Sequence, residues 1–420
     1  MRILLLTPRL PYPPDRGDTL RSWGLLDGLA HRHEVWLATI HHKPPTPAEL
    51  AQIKQRCRVA AIFVRSAARR WLGGLCSLLA GRSLTEGYFC DGRAAATLRR
   101  WSAAAGFDAV VTFSSSVAPL ANVVSAPRRI LDICDVDSAK WMRYAAHSGS
   151  PLRWLYALEG RRVRILEAQA AAAHDVCLLV NRREQGKLAA LLPEVLTDVV
   201  PTAVDVAAYR EVASSGQRSP PEPTVGVVGS MFYPPNVQAV NWFGREVWPQ
   251  VRRQVPAAKW LIVGARPGRQ VRRWGRCPNV TVTGYVPDVR PYLKVLRVFI
   301  SPVTGDIGVQ SKVVVALAAG RPAVVTPDVA AGLEYDDPPP FLVADDPDRF
   351  AAAVVRLLTD DGLWRGLHRR AQEVAESYYR VERQVALVEK WLAAGRLPAE
   401  EQVVRSSVPA ADRTGAAVCA

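Results

Sequence analysis

The chain has 420 residues, is 49% apolar and has a formal net charge of +15. This length predicts two or three domains, and the composition excludes a chain that is disordered throughout. Arginine supplies most of the positive charge, which favours an anionic partner: nucleic acid, an anionic membrane face or a phosphorylated small molecule. Amino-acid usage in a genome rich in G and C would produce part of the same excess.

The first half alternates short apolar runs with helical patterns. Strands are predicted at residues 2–6, 34–39, 59–64, 109–113, 129–134, 176–180 and 198–200. Apolar residues at helical spacing predict helices at 19–31 and 151–173. Strands that alternate with helices predict a parallel sheet covered on both faces.

The pattern breaks at residues 212–223, which are rich in Ser, Gly and Pro, and a second alternation follows. Its strands are predicted at 224–228, 259–263, 280–283, 298–300, 323–325 and 341–343, and its helices at 236–254, 288–295, 309–319, 348–359, 363–378 and 380–394. The fold class is therefore α/β with two doubly wound domains. We assign 1–211 to the first domain, 212–223 to a linker, 224–379 to the second domain, 380–396 to a last helix and 397–420 to a disordered tail.

Residues 298–326 form a strand, a glycine loop, a helix and a returning strand. A helix N-terminus carries free N–H groups and partial positive charge, which suit phosphate. The helix is predicted to start near Val309, with Lys312 in its first turn. Lys312 is either a solvated lysine or a cation that acts with the dipole on one anion, which Gly308 would let approach closely.

Two other loops follow predicted strands, and ligands of such sheets bind beyond the carboxyl ends of the strands. Gly17 and Asp18 form a turn into a helix, with Asp18 as a candidate N-cap. This turn is either an ordinary connection or one side of a cleft. Gly229, Ser230 and Asn236 belong to a second strand-to-helix turn, with Asn236 as the cap, and we expect it to face an anion or a sugar.

Asp132, Asp135 and Asp137 end or follow one strand, and like charges this close are costly without a partner. Helix capping by Asp137 or Ser138, a catalytic or acceptor-binding role, and metal binding are all open. GxGxxG and GxxxxGK[ST] are absent, which disfavours a dinucleotide dehydrogenase and a P-loop enzyme. The seven cysteines show no CxxC spacing, so we expect reduced, buried thiols in a cytoplasmic protein and no bound metal.

Seven stretches together resemble the GT-B glycosyltransferases of the group-1/family-4 type, and most closely the sugar transferases associated with exopolysaccharide and PEP-CTERM gene clusters of bacteria. They are PYPPDRGDTLRSWGLLDGLAHRHEV, FSSSVAP, DVDSAKW, VGSMFYPPNVQAVNWFGREVWP, VTVTGYVPDVRPYL, GVQSK and AAGRPAVVTP, in chain order. The resemblance implies two facing Rossmann-like domains, with the acceptor on the first and the nucleotide-sugar donor on the second. It also implies a last helix that crosses back to the first domain.

The implied activity is retaining transfer of a hexose, without metal or cofactor, to a lipid-linked or polysaccharide acceptor. Fixed dipoles and a cation would stabilise the departing nucleoside diphosphate. The implied donor-binding residues are Gly229, Ser230, Asn236, Gly308, Val309, Gln310, Ser311 and Lys312. Asp135, Asp137 and Lys312 are the catalytic candidates, and Gly17 and Asp18 form the acceptor-side loop.

The chain departs from this family pattern at the donor site. Val315 stands where the family usually has a glutamate that binds the donor ribose, Ile307 replaces a residue that is often charged, and Thr202-Ala203 replaces the usual Asn-Gly. Losing a charged acceptor would cost about 1.5–3 kcal/mol of donor binding. The alternative function is a catalytically weakened relative that binds a glycan or a partner protein.

The segment from Arg65 to Arg82 mixes arginines with Trp71 and several leucines. A basic amphipathic helix of this kind can lie on an anionic membrane, here the inner face of the cell membrane. The other interpretation is an ordinary surface helix that packs its apolar side on the core. Nucleic acid is disfavoured as a partner because the arginines are dispersed and no aromatic RNA-binding motif occurs.

Overall fold

The computed structural model describes residues 1–214, 220, 222–305 and 308–394. Within these residues the chain forms one seven-stranded and one six-stranded sheet, and every strand pairing is parallel. The predicted α/β class with two doubly wound sheets is confirmed. Part of the predicted linker, the departure at Ile307 and the whole predicted tail at 397–420 lie outside the described residues.

The first sheet has the strand order β3-β2-β1-β4-β5-β6-β7. Its strands are β1 (Arg2–Thr7), β2 (Glu34–His41), β3 (Val59–Val64), β4 (Ala109–Phe113), β5 (Arg128–Cys134), β6 (Val176–Leu179) and β7 (Thr197–Val199). The helices of this half are α1 (Gly17–Ala30), α2 (Pro47–Arg56), α3 (Ala67–Leu79), α4 (Leu84–Phe89), α5 (Gly92–Ala105), α6 (Ala118–Ala121), α7 (Asp137–Ala146), α8 (Leu152–Ala172) and α9 (Arg182–Leu191). The next helix, α10 (Arg210–Ser214), packs on the second half, since Val212 belongs to the core that includes Phe299 and Phe341.

The second sheet has the order β10-β9-β8-β11-β12-β13. Its strands are β8 (Thr224–Val228), β9 (Lys259–Val263), β10 (Val280–Gly284), β11 (Val298–Ser301), β12 (Ala323–Val325) and β13 (Phe341–Val343). Its helices are α11 (Pro234–Trp242), α12 (Trp248–Gln254), α13 (Arg269–Arg272), α14 (Arg290–Val295), α15 (Ser311–Ala318), α16 (Pro327–Ala330), α17 (Pro347–Thr359) and α18 (Asp361–Tyr378), followed by α19 (Val381–Ala393). A π-helical turn joins α11 to α12.

Side chains of β1 alternate between two apolar cores, as expected for a strand buried on both faces. Ile3 and Leu5 pack with Leu25 of α1, whereas Leu4 and Leu6 belong to the core on the other face of the sheet. The second sheet likewise separates two cores, one beneath α15 and α18 and one beneath α12 and α17. Burial on both faces explains why the strands show as continuous apolar runs.

Helix α15 ends in a Schellman motif, which fixes the returning strand β12. Gly320 has a φ of 63°, and its N–H donates to the Leu317 carbonyl at 2.8 Å. The N–H of Arg321 donates to the Ala316 carbonyl, also at 2.8 Å. Only glycine adopts this backbone conformation at little cost, and Pro322 then prevents further helix.

Helix α19 lies against α1 of the first half. The Gln384 amide donates to the Arg21 carbonyl at 3.4 Å, and Trp391 donates from its ring nitrogen to Asp198 at 2.8 Å. A Cβ added at Gly28 would overlap the Val385 side chain, so this glycine permits the close packing. The last described helix therefore contacts the half from which the chain started.

Six cysteines lie in the described part of the chain and are free thiols. Cys177 is buried as expected, but Cys76 is exposed, so the expectation of buried thiols is wrong at that position. Cys76 is exposed because α3 turns its small residues, Gly74 and Ser77, towards the protein. Among the described helices, none is long and apolar enough to cross a membrane.

Candidate functional site

The loops that follow the carboxyl ends of strands in the two sheets meet each other. An added Cβ on Gly17, after β1, would lie 2.9 Å from Ser311 Oγ, after β11. An added Cβ on Gly308 would collide with the carboxylate of Asp135, which follows β5. Ligands of doubly wound sheets bind beyond the carboxyl ends of strands, so this region is a candidate cleft site.

Contacts after β6 hold one side of this arrangement. The Asn181 side chain donates to the Gly332 carbonyl at 3.0 Å, and the Arg182 N–H donates to Glu334 Oε1 at 2.9 Å. The Asn181 side chain also accepts from the Glu184 N–H as the N-cap of α9. Asn181 is not among the residues that the sequence predicts for the site, and its only signal in the sequence is its position between a strand and a helix.

Lys312 lies in the first turn of α15 and is partly buried. Its ammonium donates to Asn236 Oδ1 at 2.5 Å, and no ion pair of Lys312 occurs within the described residues. Burial lowers the pKa of Lys312 to about 7. Burial disfavours the charged form of Lys312, and no carboxylate of the described residues compensates for it. An anionic ligand would stabilise that charged form, so Lys312 is suited to bind an anion.

The loop after β8 fixes the orientation of Lys312. An added Cβ on Gly229 would lie 2.9 Å from Asn236 Nδ2 and 3.7 Å from Lys312 Cδ. The Asn236 amide also donates to the Ser230 carbonyl at 3.0 Å. Gly229, Ser230, Asn236 and Lys312 are therefore brought together, as the sequence predicts for one ligand-binding surface.

The prediction that Asn236 caps α11 is wrong. Tyr233 is the N-cap, and Pro234 is the first residue of the helix. Proline fits this first position because it has no N–H and its φ is already helical. Asn236 thus lies inside the first turn, where its side chain can reach Lys312 instead of the helix N–H groups.

Helix α15 begins later than the sequence predicts, at Ser311 instead of Val309. The helix begins at Ser311 with Gln310 as N-cap, and the Ser311 N–H already donates to the Val309 carbonyl at 3.1 Å. Val309, Gln310 and Ser311 are all partly buried. The Ser311 N–H is thus used within the loop, and its hydroxyl lies at Gly17 of the first half.

Asp132 does not face the cleft. Its carboxylate accepts from Arg21 Nε at 2.8 Å and Arg21 Nη2 at 3.0 Å, and both residues are almost fully buried. The pairing of β5 with β6 then shifts register, and Cys134 has a φ of 65°. This irregular end of β5 separates Asp132, which has a structural role, from the carboxylates that follow it.

Asp135 lies opposite Gly308, and its Oδ1 is buried without a hydrogen-bond partner in the described residues. Burial, then the charges of Glu184 and Asp137, raise its pKa to about 6, against the opposing charge of Lys140. Asp135 is therefore a carboxylate at neutral pH with a free acceptor atom. Such a group can bind a sugar hydroxyl or accept a proton from one.

Asp137 begins α7 and lies 3.8 Å from Lys140. Burial raises its pKa, and the charge of Lys140 opposes this. Neither Asp137 nor Ser138 caps the helix: Val136 is the N-cap and makes no side-chain cap bond.

Two glutamates from other helices hold this turn. Glu184 accepts from the Val136 N–H at 2.9 Å, and Glu167 accepts from the Ser138 N–H at 3.0 Å. The capping interpretation of Asp137 and Ser138 is wrong because these glutamates supply the acceptors. Burial raises the pKa of Glu167 to about 7.

The acceptor-side loop also differs in detail from its prediction. Arg16 is the N-cap of α1, Gly17 is the first helical residue, and Asp18 lies in the first turn, where it pairs with Arg9. Asp18 therefore complements the helix dipole and neutralises an arginine instead of capping. No cluster of three or more His, Cys, Asp or Glu side chains arranged to hold a metal ion occurs in the described residues.

Two parallel-sheet halves that face each other across a ligand cleft define the GT-B fold. Residues 222–360, about a third of the chain, match the family model described as "Glycosyl transferases group 1". This match runs from the start of β8 to the end of α17 and includes Gly229, Asn236 and Lys312. No curated protein matches the chain in sequence.

Solved structures share the fold along almost the whole chain. A sucrose-phosphate synthase from Thermosynechococcus elongatus has a TM-score of 0.67 at 14% identity, covering 97% of this chain and 100% of that one. Anabaena HepE in complex with UDP has a TM-score of 0.62 at 14% identity, covering 94% and 100%. The structure "Trehalose-6-phosphate from E. coli bound with UDP-2-fluoro glucose" has a TM-score of 0.62 at 14% identity, covering 94% of this chain and 99% of that one.

Proposed function

We propose that the protein is a glycosyltransferase that moves a sugar from a nucleotide-sugar donor to a lipid-linked or polysaccharide acceptor, in the synthesis of a cell-surface polysaccharide. The observation that carries this proposal is the ammonium of Lys312, which has no ion-pair partner among the described residues and is held by Asn236 where the loops of both sheets meet. The family match to the second half and the UDP ligands named for two structural neighbours support it.

In this proposal the donor diphosphate lies against the Gly229–Ser230 turn, the Ser311 hydroxyl and Lys312. Negative charge grows on the leaving diphosphate as the glycosidic bond breaks, and a preorganised cation stabilises it without further reorganisation. Asp135 Oδ1, which has no hydrogen-bond partner in the part of the chain that the structure describes, lies across from Gly308, close to where the sugar would emerge from the diphosphate. We assign to Asp135 the binding of the sugar or of the attacking hydroxyl, and to Asp137 the electrostatic support of Lys140.

The transfer that we propose retains the anomeric configuration and needs no metal ion. The charge of the leaving group would be met by Lys312 and by the N–H groups of residues 308–310.

A donor screen tests the proposal. We expect UDP-, GDP-, ADP- or dTDP-sugars to raise the melting temperature, and the variant Lys312→Met to lose the shift. Lys294→Met is the matched control, because Lys294 is half-exposed on α14 and 3.9 Å from Glu211. Stabilisation by no nucleotide diphosphate, or equal stabilisation of Lys312→Met, would contradict the assignment of the donor site.

We further propose that α3 contacts an anionic membrane. The alternative expectation, that α3 packs its apolar side on the core, is wrong: Trp71, Leu72, Leu75 and Leu79 are 58%, 62%, 50% and 80% exposed. Arg162 of α8 donates to the carbonyls of Leu78 at 2.6 Å and Arg82 at 3.0 Å, so α8 adjoins this face.

Exposed apolar side chains continue along α8, at Leu152, Trp154, Leu155 and Leu158. Apolar side chains beside arginines match the interface of an anionic bilayer. We expect the protein to float with vesicles of phosphatidylglycerol, and the double variant Leu72→Glu/Leu75→Glu not to float. Flotation of neither protein, or of both equally, would contradict the contact.

A second candidate function is a relative that binds nucleotide-sugar or glycan with little or no turnover. Val315 favours it: the side chain is partly buried against the apolar core beneath α15 and offers no acceptor to a ribose hydroxyl. We expect Val315→Glu to tighten donor binding if this function holds. Multiple turnovers by the unaltered protein with any donor would exclude it.

A further inference from the structure

The carboxyl edge of the first sheet carries a group of nitrogen-bearing side chains that the donor site does not use. Arg9 follows β1, His41, His42 and Lys43 end or follow β2, and Arg70 lies in the first turn of α3. We call these five residues the basic cluster. Arg9 connects it to the cleft, because it pairs with Asp18 of α1 and its charge opposes the burial that raises the pKa of Asp137.

Arg70 is buried without a counter-charge. Its side chain is 5% exposed, its Nε is buried without a partner, and within the described residues it makes no ion pair and no side-chain hydrogen bond. The guanidinium instead lies 4.4 Å from the centre of the Tyr88 ring and 5.1 Å from that of Phe89. Burying an unpaired cation is costly, and contacts with aromatic rings recover only part of that cost.

His41 is also left without partners. It is 8% exposed, and neither ring nitrogen makes a hydrogen bond within the described part of the chain. Its backbone is fixed, since its carbonyl accepts from the Arg65 N–H at 2.9 Å, and its ring centre lies 4.5 Å from that of His42. Burial and the charge of His42 lower the pKa of His41 to about 4, so the ring is neutral and can donate one N–H.

The carboxylates near the basic cluster are already engaged. Glu49 accepts from the Thr46 N–H at 2.6 Å at the start of α2, and Asp18 is paired with Arg9. Asp91 caps α5 and pairs with Arg93 at 3.2 Å and with Arg65 at 3.7 Å. The cluster therefore has an excess of positive charge, which also lowers the pKa of His42 after burial.

We propose that the basic cluster is a binding subsite for a phosphate or diphosphate group. Arg70 supplies a fixed cation, the neutral His41 ring supplies an N–H donor, and Lys43 and Arg9 supply mobile charges at the rim. A phosphate group offers several oxygens to such a set at once, and arginine and lysine both bind it well. The subsite lies on the first sheet and Lys312 on the second, so its anion is distinct from the donor diphosphate.

With the proposed function, this location makes the phosphate a part of the acceptor. The assignment to the acceptor rests on that function, whereas the binding of phosphate does not. The acceptor would then be a phosphorylated molecule, either a soluble sugar phosphate or a lipid-linked phosphate or diphosphate. Neutral polysaccharide chains would be excluded as the group bound at this position.

Histidine NMR tests the binding site directly, in the full chain. Inorganic phosphate and inorganic diphosphate, titrated into protein with labelled histidine, should shift the ring signals of His41 and His42. His174 and His368 are internal controls, because their rings are hydrogen-bonded to Thr112 and Gly320. Unchanged His41 and His42 signals at saturating phosphate, or equal shifts of all four rings, would overturn the proposal.

Variants separate this subsite from the donor site. Arg70→Met should weaken diphosphate binding about tenfold or more, as expected for loss of a charged partner. Its affinity for UDP should stay unchanged, and Lys312→Met should keep the histidine shifts. If Arg70→Met does not fold, Lys43→Gln changes an exposed residue and should weaken binding in the same sense. Arg99→Met, an exposed arginine of α5, should have no effect.

Two further ligands identify the source of the phosphate. Glucose 6-phosphate and short-chain phosphatidic acid are each titrated into the unaltered protein and into Arg70→Met. Binding of the first alone indicates a soluble acceptor, and binding of the second alone indicates a lipid-linked one. If Arg70→Met loses UDP binding to the same degree as phosphate binding, the cluster belongs to the donor site and the proposal fails.

Discussion

Donor binding should require a proton on Lys312. Burial lowers the pKa of this amine to about 7, so a buried lysine that is uncharged above neutral pH must be protonated to pair with a diphosphate. Affinity is therefore highest below pH 7 and falls as pH rises through 7, because the free protein then lacks the ammonium. A decrease of affinity with rising pH is expected when ligand binding raises the pKa of a protein group.

The magnitude follows from the same value. Each pH unit above the pKa of the free protein costs about 1.4 kcal/mol of binding, so donor affinity should fall about tenfold between pH 6 and pH 8. Proton uptake on binding should be about one half at pH 7 and approach one at pH 8. The diphosphate of a nucleotide-sugar does not titrate in this range, so the slope belongs to the protein.

Calorimetry in two buffers of different ionisation enthalpy measures this uptake, with the donor identified in the screen. Glu167 and Asp135 also titrate near this range, with pKa values of about 7 and about 6, and Lys312→Met keeps both. The difference between the unaltered protein and Lys312→Met therefore isolates the lysine. Equal proton uptake by the two proteins would refute the reasoning, as would an affinity that does not change from pH 6 to pH 8.

Three other substitutions test the packing that positions the site. Gly308→Ala should lower turnover about tenfold or more without lowering the free energy of unfolding, because the added methyl group would collide with Asp135 and misplace the loop. Gly28→Ala should lower the free energy of unfolding by about 1–3 kcal/mol in urea, because α19 packs directly on this glycine. Asp132→Asn should lower it by about 3–5 kcal/mol, because it leaves a buried guanidinium without its partner.

Each substitution has a control elsewhere in the chain. Gly268→Ala and Gly366→Ala add methyl groups where no atom lies within 4 Å, so the first should keep turnover and the second should not destabilise the protein. Asp27→Asn breaks a partly exposed pair with Arg56 and should cost at most about 1 kcal/mol. If Asp27→Asn lowered the free energy of unfolding as much as Asp132→Asn does, burial would not determine the cost of breaking these ion pairs.

Sequence patterns located the strands well, because most are apolar runs and the central strands β1, β4, β5 and β6 are largely buried on both faces. They also placed Gly229, Asn236 and Lys312 together, since all three follow the carboxyl ends of strands in one sheet. The same rule could not predict which of Asp132 and Asp135 faces the cleft. One-residue irregularity in β5 and the positive φ of Cys134 decide which carboxylate faces the cleft, and neither has a sequence signature.

Contacts between residues that are distant in the sequence were the other feature that sequence patterns could not predict. Nothing in the order of residues pairs Gly308 with Asp135, or leaves Arg70 without an ion-pair partner among the described residues, because these depend on how separate loops meet. The orientation of α3 shows a related limit. Its periodicity correctly predicts an amphipathic helix, but periodicity does not say which face is buried, and here Gly74 and Ser77 are.

The chain passes between its two halves twice, and the two passages lie side by side. The Val204 N–H donates to the Tyr379 carbonyl at 2.8 Å, and Val204 forms a parallel bridge with Arg380. Two adjacent connections of this kind act as one hinge. They allow the two halves to bend about a single axis and resist rotation about other axes. The two halves should therefore open and close by rotation about this one axis when ligands exchange. Asp135 and Gly308 should separate on opening and return to the same relative position on closing.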